Sequence, residues 1–103
     1  MIIELNEINF ENEIKHGLKL VEFYATWCIY CKKQRMELQN FEDAPMWIGI
    51  VDGDESPNII KKYKVEGYPT FILFKDGSKM AEFSGFHTKE QLLNRLMQVI
   101  NNN

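Results

Sequence analysis

The 103-residue chain has only two cysteines, two histidines and three prolines, and no apolar run approaching the ~20 residues a membrane-spanning helix needs. Two cysteines are too few for a disulfide-stapled secreted scaffold, which usually carries four or more. Positive charge is short as well. Twelve Lys and Arg face fifteen Asp and Glu, a formal charge of -3, so no basic surplus draws the protein toward nucleic acid or anionic lipid. The opening Met1-Ile2-Ile3-Glu4-Leu5-Asn6-Glu7 lacks the positive n-region and apolar core of a secretory signal, although a mature form with its signal removed would read the same. Repeats, linkers and low-complexity segments are missing too. These absences lead us to expect a cytoplasmic protein that binds neither membrane nor nucleic acid. What is present suffices for a core: 45% hydrophobic and 13% aromatic residues in a chain the size of one domain, expected to occupy residues 1–103.

Both cysteines fall within Val21-Glu22-Phe23-Tyr24-Ala25-Thr26-Trp27-Cys28-Ile29-Tyr30-Cys31-Lys32, just after a strand-like run. A Cys-x-x-Cys pair at a strand-to-helix junction puts the first sulfur at the helix N-terminus, where unpaired N–H groups and the helix dipole favour a thiolate. Cys28 is therefore expected as the exposed nucleophile. Cys31, one turn further in, is expected as the more buried resolving thiol. Two plainer readings compete. An inert Cys28–Cys31 staple would close so short a ring that it contributes only about 2 kcal/mol, against about 4.7 for a 100-residue loop. A zinc site in one chain would need four ligands, and His16 and His87 sit in separate connections, so no metal is expected; a cluster shared between two copies stays open.

The flanking chain alternates strand and helix patterns. Ile2 to Leu5 reads as a strand, followed by a short helix from Phe10 to His16 with Asn9 as cap and Gly17 as stop. Leu18 to Tyr24 is apolar on both faces, as a central covered strand would be. A helix is expected from Cys28 to about Asn40, with Met36 toward the sheet and Lys32, Lys33 and Arg35 on a mostly solvated face. Pro45 then interrupts the chain before a strand over Met46 to Val51. Ser56 and Pro57 begin a helix through Tyr63 whose buried side is Ile59, Ile60 and Tyr63. Thr70 to Phe74 is the strongest strand pattern, and Asp76-Gly77 turns it into a second arm over Lys79 to Ser84. Thr88 and Gln91 form a capping box for a last helix with Leu92, Leu93, Leu96, Met97 and Ile100 as its apolar stripe, ending in a frayed Asn101-Asn102-Asn103. Trp47, Phe71 and Phe74 read as core. The order implies an α/β domain with a mixed sheet, parallel where helices cross over and antiparallel at the terminal hairpin.

Four features at matching spacings carry a likeness that the dithiol alone would not. They are Val21 to Ala25 running into Trp27-Cys28-x-x-Cys31-Lys32, the turn Gly67-Tyr68-Pro69-Thr70, the hairpin Phe74-Lys75-Asp76-Gly77, and Gly85 before the last helix. With them the chain resembles the thioredoxin superfamily over essentially its full length. The resemblance implies a central mixed sheet flanked by helices on both faces, a cis Pro69 facing the cysteines, and Tyr68 offering its backbone to a peptide substrate. Trp27, Ile29, Tyr30, Tyr68, Pro69 and Gly85 are the substrate-contacting residues on this reading. For Tyr68-Pro69 the plain alternative is an ordinary turn, and for Tyr30 a merely exposed ring.

Two departures stand out. Ile29-Tyr30 replaces the Gly-Pro of thioredoxins proper; Tyr before the second cysteine is similar to glutaredoxins, whose proline is missing here. The buried acid of the family is Glu22, as in protein disulfide isomerases, and the lysine that often accompanies it aligns with Ile50. If Glu22 faces inward, burial raises its pKa and equips it to shuttle the proton of Cys31; on the opposite face it would be a surface carboxylate.

The expected function is thiol-disulfide exchange through a redox-active Cys28–Cys31 disulfide with no bound cofactor, reducing disulfide-containing proteins with a thioredoxin reductase as electron donor. A monomer is expected. The alternatives are an isomerase-like or glutaredoxin-like enzyme using the same cysteines, or a binding module that docks partners through the Trp27 and Pro69 surface without turnover.

Overall fold

The computed structural model describes residues 1–41 and 46–102. Pro45 and Asn103, both assigned roles from sequence, lie outside them. The elements follow the expected order: β1 (Ile2–Leu5), α1 (Phe10–Ile14), β2 (Leu18–Tyr24), α2 (Ile29–Gln39), β3 (Ile48–Asp52), α3 (Pro57–Tyr63), β4 (Thr70–Lys75), β5 (Ser78–Ser84) and α4 (Lys89–Asn101). They form a five-stranded sheet in the order β1-β3-β2-β4-β5. β3 runs parallel to β1 and β2, while β4 is antiparallel to β2 and β5.

The helices divide between the two faces, as the resemblance implied. Phe10 and Ile14 of α1 and Ile59 of α3 pack with Leu5, Val21, Phe23, Val51, Ile72 and Phe74. On the other face, Leu38 of α2 and Leu92 and Leu96 of α4 pack with Leu20, Ile48, Ile50, Phe71, Leu73 and Phe83. The central β2 is covered on both sides, which is why its sequence is apolar at successive positions. Glu22 is the one acid in that strand, and its register partners are Ile50 on β3 and Phe71 on β4.

Several local expectations are corrected. Met36 is 68% exposed, because α2 turns Cys31, Gln34 and Leu38 inward and leaves Met36 off that line. Arg35 is half-buried rather than solvated. In α4 only Leu92 and Leu96 are buried; Leu93, Met97 and Ile100 lie outward of the inner line that Leu92 and Leu96 define. Trp47 is half-buried, with the Lys19 ammonium over its ring. Of the expected buried side of α3, Ile59 is buried while Ile60 and Tyr63 are half-buried. α1 stops at Ile14, and its Asn9 makes no side-chain cap. The Asn6 side chain instead accepts from the N–H groups of Ile8 and Asn9. The Thr88–Gln91 capping box is present with both reciprocal bonds.

Candidate active site

Cys28 is the N-cap of α2, in an extended conformation with φ -88° and ψ 117°. Its Sγ accepts a hydrogen bond from the Cys31 backbone N–H at 3.1 Å, so the sulfur meets one of the donors that the helix start leaves unpaired. Both thiols are free. The two are nearly equally buried, 7% exposed at Cys28 and 4% at Cys31, which corrects the expectation of an openly exposed nucleophile. Ala25 and the half-buried Tyr24 and Tyr68 wall them in.

Desolvation pushes the Cys31 thiol up to about 12, with the hydrogen bond to Cys28 adding to it and the charges of Cys28 and Glu22 acting in the same direction. Cys31 therefore holds its proton near neutral pH. Beneath it, Glu22 is fully buried, and neither carboxyl oxygen has a hydrogen-bond partner among the described residues. Burial raises its carboxyl to about 8, Glu4 contributes in the same direction, and Arg35 opposes. Glu22 is thus inward-facing, and the surface-carboxylate alternative is set aside.

The turn before β4 closes the site. The Tyr68–Pro69 peptide bond is cis, Pro69 is buried, and the Cys28 thiol donates to the Tyr68 carbonyl at 3.7 Å. That carbonyl is brought to the cysteines by backbone geometry alone. Tyr68 meets the Trp27 ring edge-on at 5.9 Å, and the Trp27 indole N–H donates to the Asp54 carboxylate at 2.8 Å. The Tyr68 ring also lies directly over Gly53, where any Cβ would collide with it. Trp27, Ile29 and Tyr30 remain at least 60% exposed beside the buried sulfurs, an apolar rim around a recessed dithiol. Gly85, at φ +89°, donates its N–H to the Pro69 carbonyl and so stands on the same rim. All nine residues named from sequence are thus gathered at one end of the sheet or, for Glu22, just beneath it.

One residue of the site was not anticipated. Gln34 is fully buried, and its amide donates to the His87 carbonyl at 2.8 Å while its carbonyl accepts from the His87 N–H at 2.9 Å. This pair of bonds fastens α2, directly behind the cysteines, to the loop carrying Gly85. The readable cue was its place three residues after Cys31 and four before Leu38, on the inner line of the helix. Gln34→Leu leaves two buried backbone groups unpaired, so it is expected to cost about 2–4 kcal/mol, seen as a lowered urea midpoint at unchanged m.

Among the described residues, no group of three or more His, Cys, Asp or Glu could hold a metal ion. No described helix is long and apolar enough to cross a membrane.

The thioredoxin family model matches residues 1–98. The thioredoxin of Staphylococcus epidermidis (strain RP62A) is 38% identical over 94 residues, covering 88% of this chain and 90% of the relative. That of Staphylococcus haemolyticus is equally similar over the same shares, and that of Staphylococcus aureus (strain N315) is 35% identical. The matched span runs from the first strand into the last helix and takes in every element that builds the site, so the chain belongs to the thioredoxin family.

Proposed function

We propose that this protein is a thiol-disulfide oxidoreductase that reduces protein disulfides, with a thioredoxin reductase as electron donor and no bound cofactor. The observation that carries the reading is the Cys28 sulfur held between the Cys31 N–H and the Tyr68 carbonyl. The thiolate form of Cys28 attacks one sulfur of a substrate disulfide, and the other leaves as a thiolate that takes up a proton. The substrate is then joined to Cys28. Its chain extends past Trp27, Ile29 and Tyr30, with the backbone of Tyr68, Pro69 and Gly85 available to it.

Resolution falls to Cys31. Once Cys28 is part of a mixed disulfide, its hydrogen bond and charge no longer raise the Cys31 pKa, which narrows the gap to Glu22. An ionised Glu22 takes the Cys31 proton, the Cys31 sulfur attacks Cys28, and the substrate's second thiolate departs and is protonated. Two electrons pass from the dithiol to the substrate and leave a Cys28–Cys31 disulfide. The reductase restores the dithiol.

We place the protein in the cytoplasm as a monomer. A reducing direction is supported by the match to thioredoxins over most of the chain. The test is insulin reduction with a thioredoxin reductase and NADPH, where catalysed precipitation of the B chain is expected. Failure to accelerate it with either the reductase or dithiothreitol as donor would contradict the reading.

A further inference from the structure

Among the described residues the buried carboxyl of Glu22 has no hydrogen-bond partner, and Ile50 occupies the strand position across from it. A cation nevertheless stands nearby, supplied by a helix. The Arg35 guanidinium lies 4.9 Å from the centre of the Tyr24 ring, and its buried Nε has no hydrogen-bond partner among the described residues. Tyr24 is itself anchored, its hydroxyl donating to the Glu4 carboxylate at 3.1 Å. Glu22 and Tyr24 are two residues apart on β2 and share the face that α2 covers.

We infer that Arg35 is a positioning residue for Glu22: its guanidinium, braced on the Tyr24 ring, supplies the positive charge that lets the buried carboxyl exist as a proton acceptor beside Cys31. The inference rests on the dithiol mechanism proposed above. A cation so placed acts through space, across a poorly hydrated interior where a charge is felt more strongly than at the surface.

The other groups around Glu22 do not supply this charge. From β1 comes Glu4, of the wrong sign, and β3 offers Ile50 opposite with Asp52 beside Tyr24. β4 and β5 present Phe71 and Phe83 in the same row, with the His87 ring packed on both and Arg95 of α4 over Phe83, two strands away from β2. α2 contributes Cys31, Arg35 and Lys32. Lys32 lines a cleft of about 310 Å³ together with Tyr24, Ala25, Thr26, Cys31 and Arg35, but its ammonium is exposed and screened. Among the described residues, Arg35 alone opposes the effect of burial on Glu22.

The experiment mixes the reduced protein with bis-thionitrobenzoate disulfide in a stopped-flow instrument. The first thionitrobenzoate released reports attack by Cys28, and the second reports Cys31 resolving the mixed disulfide. In Arg35→Met the pH midpoint of the second phase is expected to rise by about one unit, with release at pH 7 about tenfold slower. Arg35→Lys is expected to stay close to wild type. In a Glu22→Gln background, Arg35→Met is expected to change nothing further, which separates an effect on Glu22 from one on the charged reagent. Carboxyl carbon NMR of Glu22 reads the same shift without any reaction, and Arg35→Gln serves if the methionine variant does not fold.

An unmoved midpoint in Arg35→Met, or a shift that persists in the Glu22→Gln background, overturns the inference while leaving the dithiol mechanism intact. Absence of a second phase in wild type would instead count against that mechanism.

Discussion

Replacing Cys28 with Ser is expected to bring protein-disulfide reduction down to the uncatalysed background, whereas Cys31→Ser should stop turnover and leave the first attack intact. The asymmetry follows from the two environments. Cys28 caps α2 and touches the Tyr68 carbonyl, at the point where the buried dithiol meets the exposed rim of Trp27, Ile29 and Tyr30. Cys31 lies a turn deeper with its thiol pushed up to about 12 by desolvation, a poor first nucleophile near neutral pH. With Ser at position 31, nothing inside the protein can release the substrate from Cys28. The mixed disulfide should therefore accumulate and be recovered by non-reducing mass spectrometry as one substrate per chain, attached at Cys28. A mixed disulfide forming equally well in Cys28→Ser, through Cys31, would show the roles to be reversed.

The second large effect is expected at Glu22, and it has both a stability and a kinetic side. An ordinary glutamate titrates near 4.5, but burial raises this one to about 8. Between those values the folded chain holds a proton that the unfolded chain has released. The stability tied to that proton is fully present below pH 4.5 and is lost as pH rises through 8. Its span is on the order of 4–5 kcal/mol. Glu22→Gln removes the titration, so the urea midpoint of wild type should fall between pH 5 and pH 8.5 relative to that of the variant. Parallel midpoints across this range would show that Glu22 titrates normally. Kinetically, Glu22→Gln cannot accept the Cys31 proton, and resolution at pH 8 should slow by about a hundredfold while the Cys28 attack is preserved.

Much of this was legible in the sequence because local chemistry and tertiary placement agreed. The dithiol after β2, the Asp76-Gly77 hairpin and the Thr88–Gln91 capping box are short-range patterns, and each appears where its residues predicted. The cis Tyr68–Pro69 bond came from the family resemblance, since Gly-Tyr-Pro-Thr by itself reads as a turn. What escaped notice depended on which way a helix faced or on partners distant in the chain. The apolar Met36 invited a buried reading, yet the angle set by Cys31 and Leu38 turns Gln34 inward, and its bonds reach across 53 residues to His87. Arg35 looked like part of a solvated basic face for the same reason. Its ring partner Tyr24 and the acid it opposes lie on β2, a separate element, and only the packing of α2 on the sheet brings them together. Burial of Cys28 was missed because the wall over it is made by Tyr68, forty residues later.

Ile29 and Tyr30, which replace the usual pair between the cysteines, leave the direction of exchange as the point on which the proposed function rests. The direct measurement is the reduction potential of the Cys28/Cys31 couple, obtained by equilibrating the protein with a thioredoxin of known potential and quantifying the oxidised fraction. A protein-disulfide reductase is expected to lie near about -270 mV, and a value near about -120 mV, where strong disulfide oxidants sit, would contradict it.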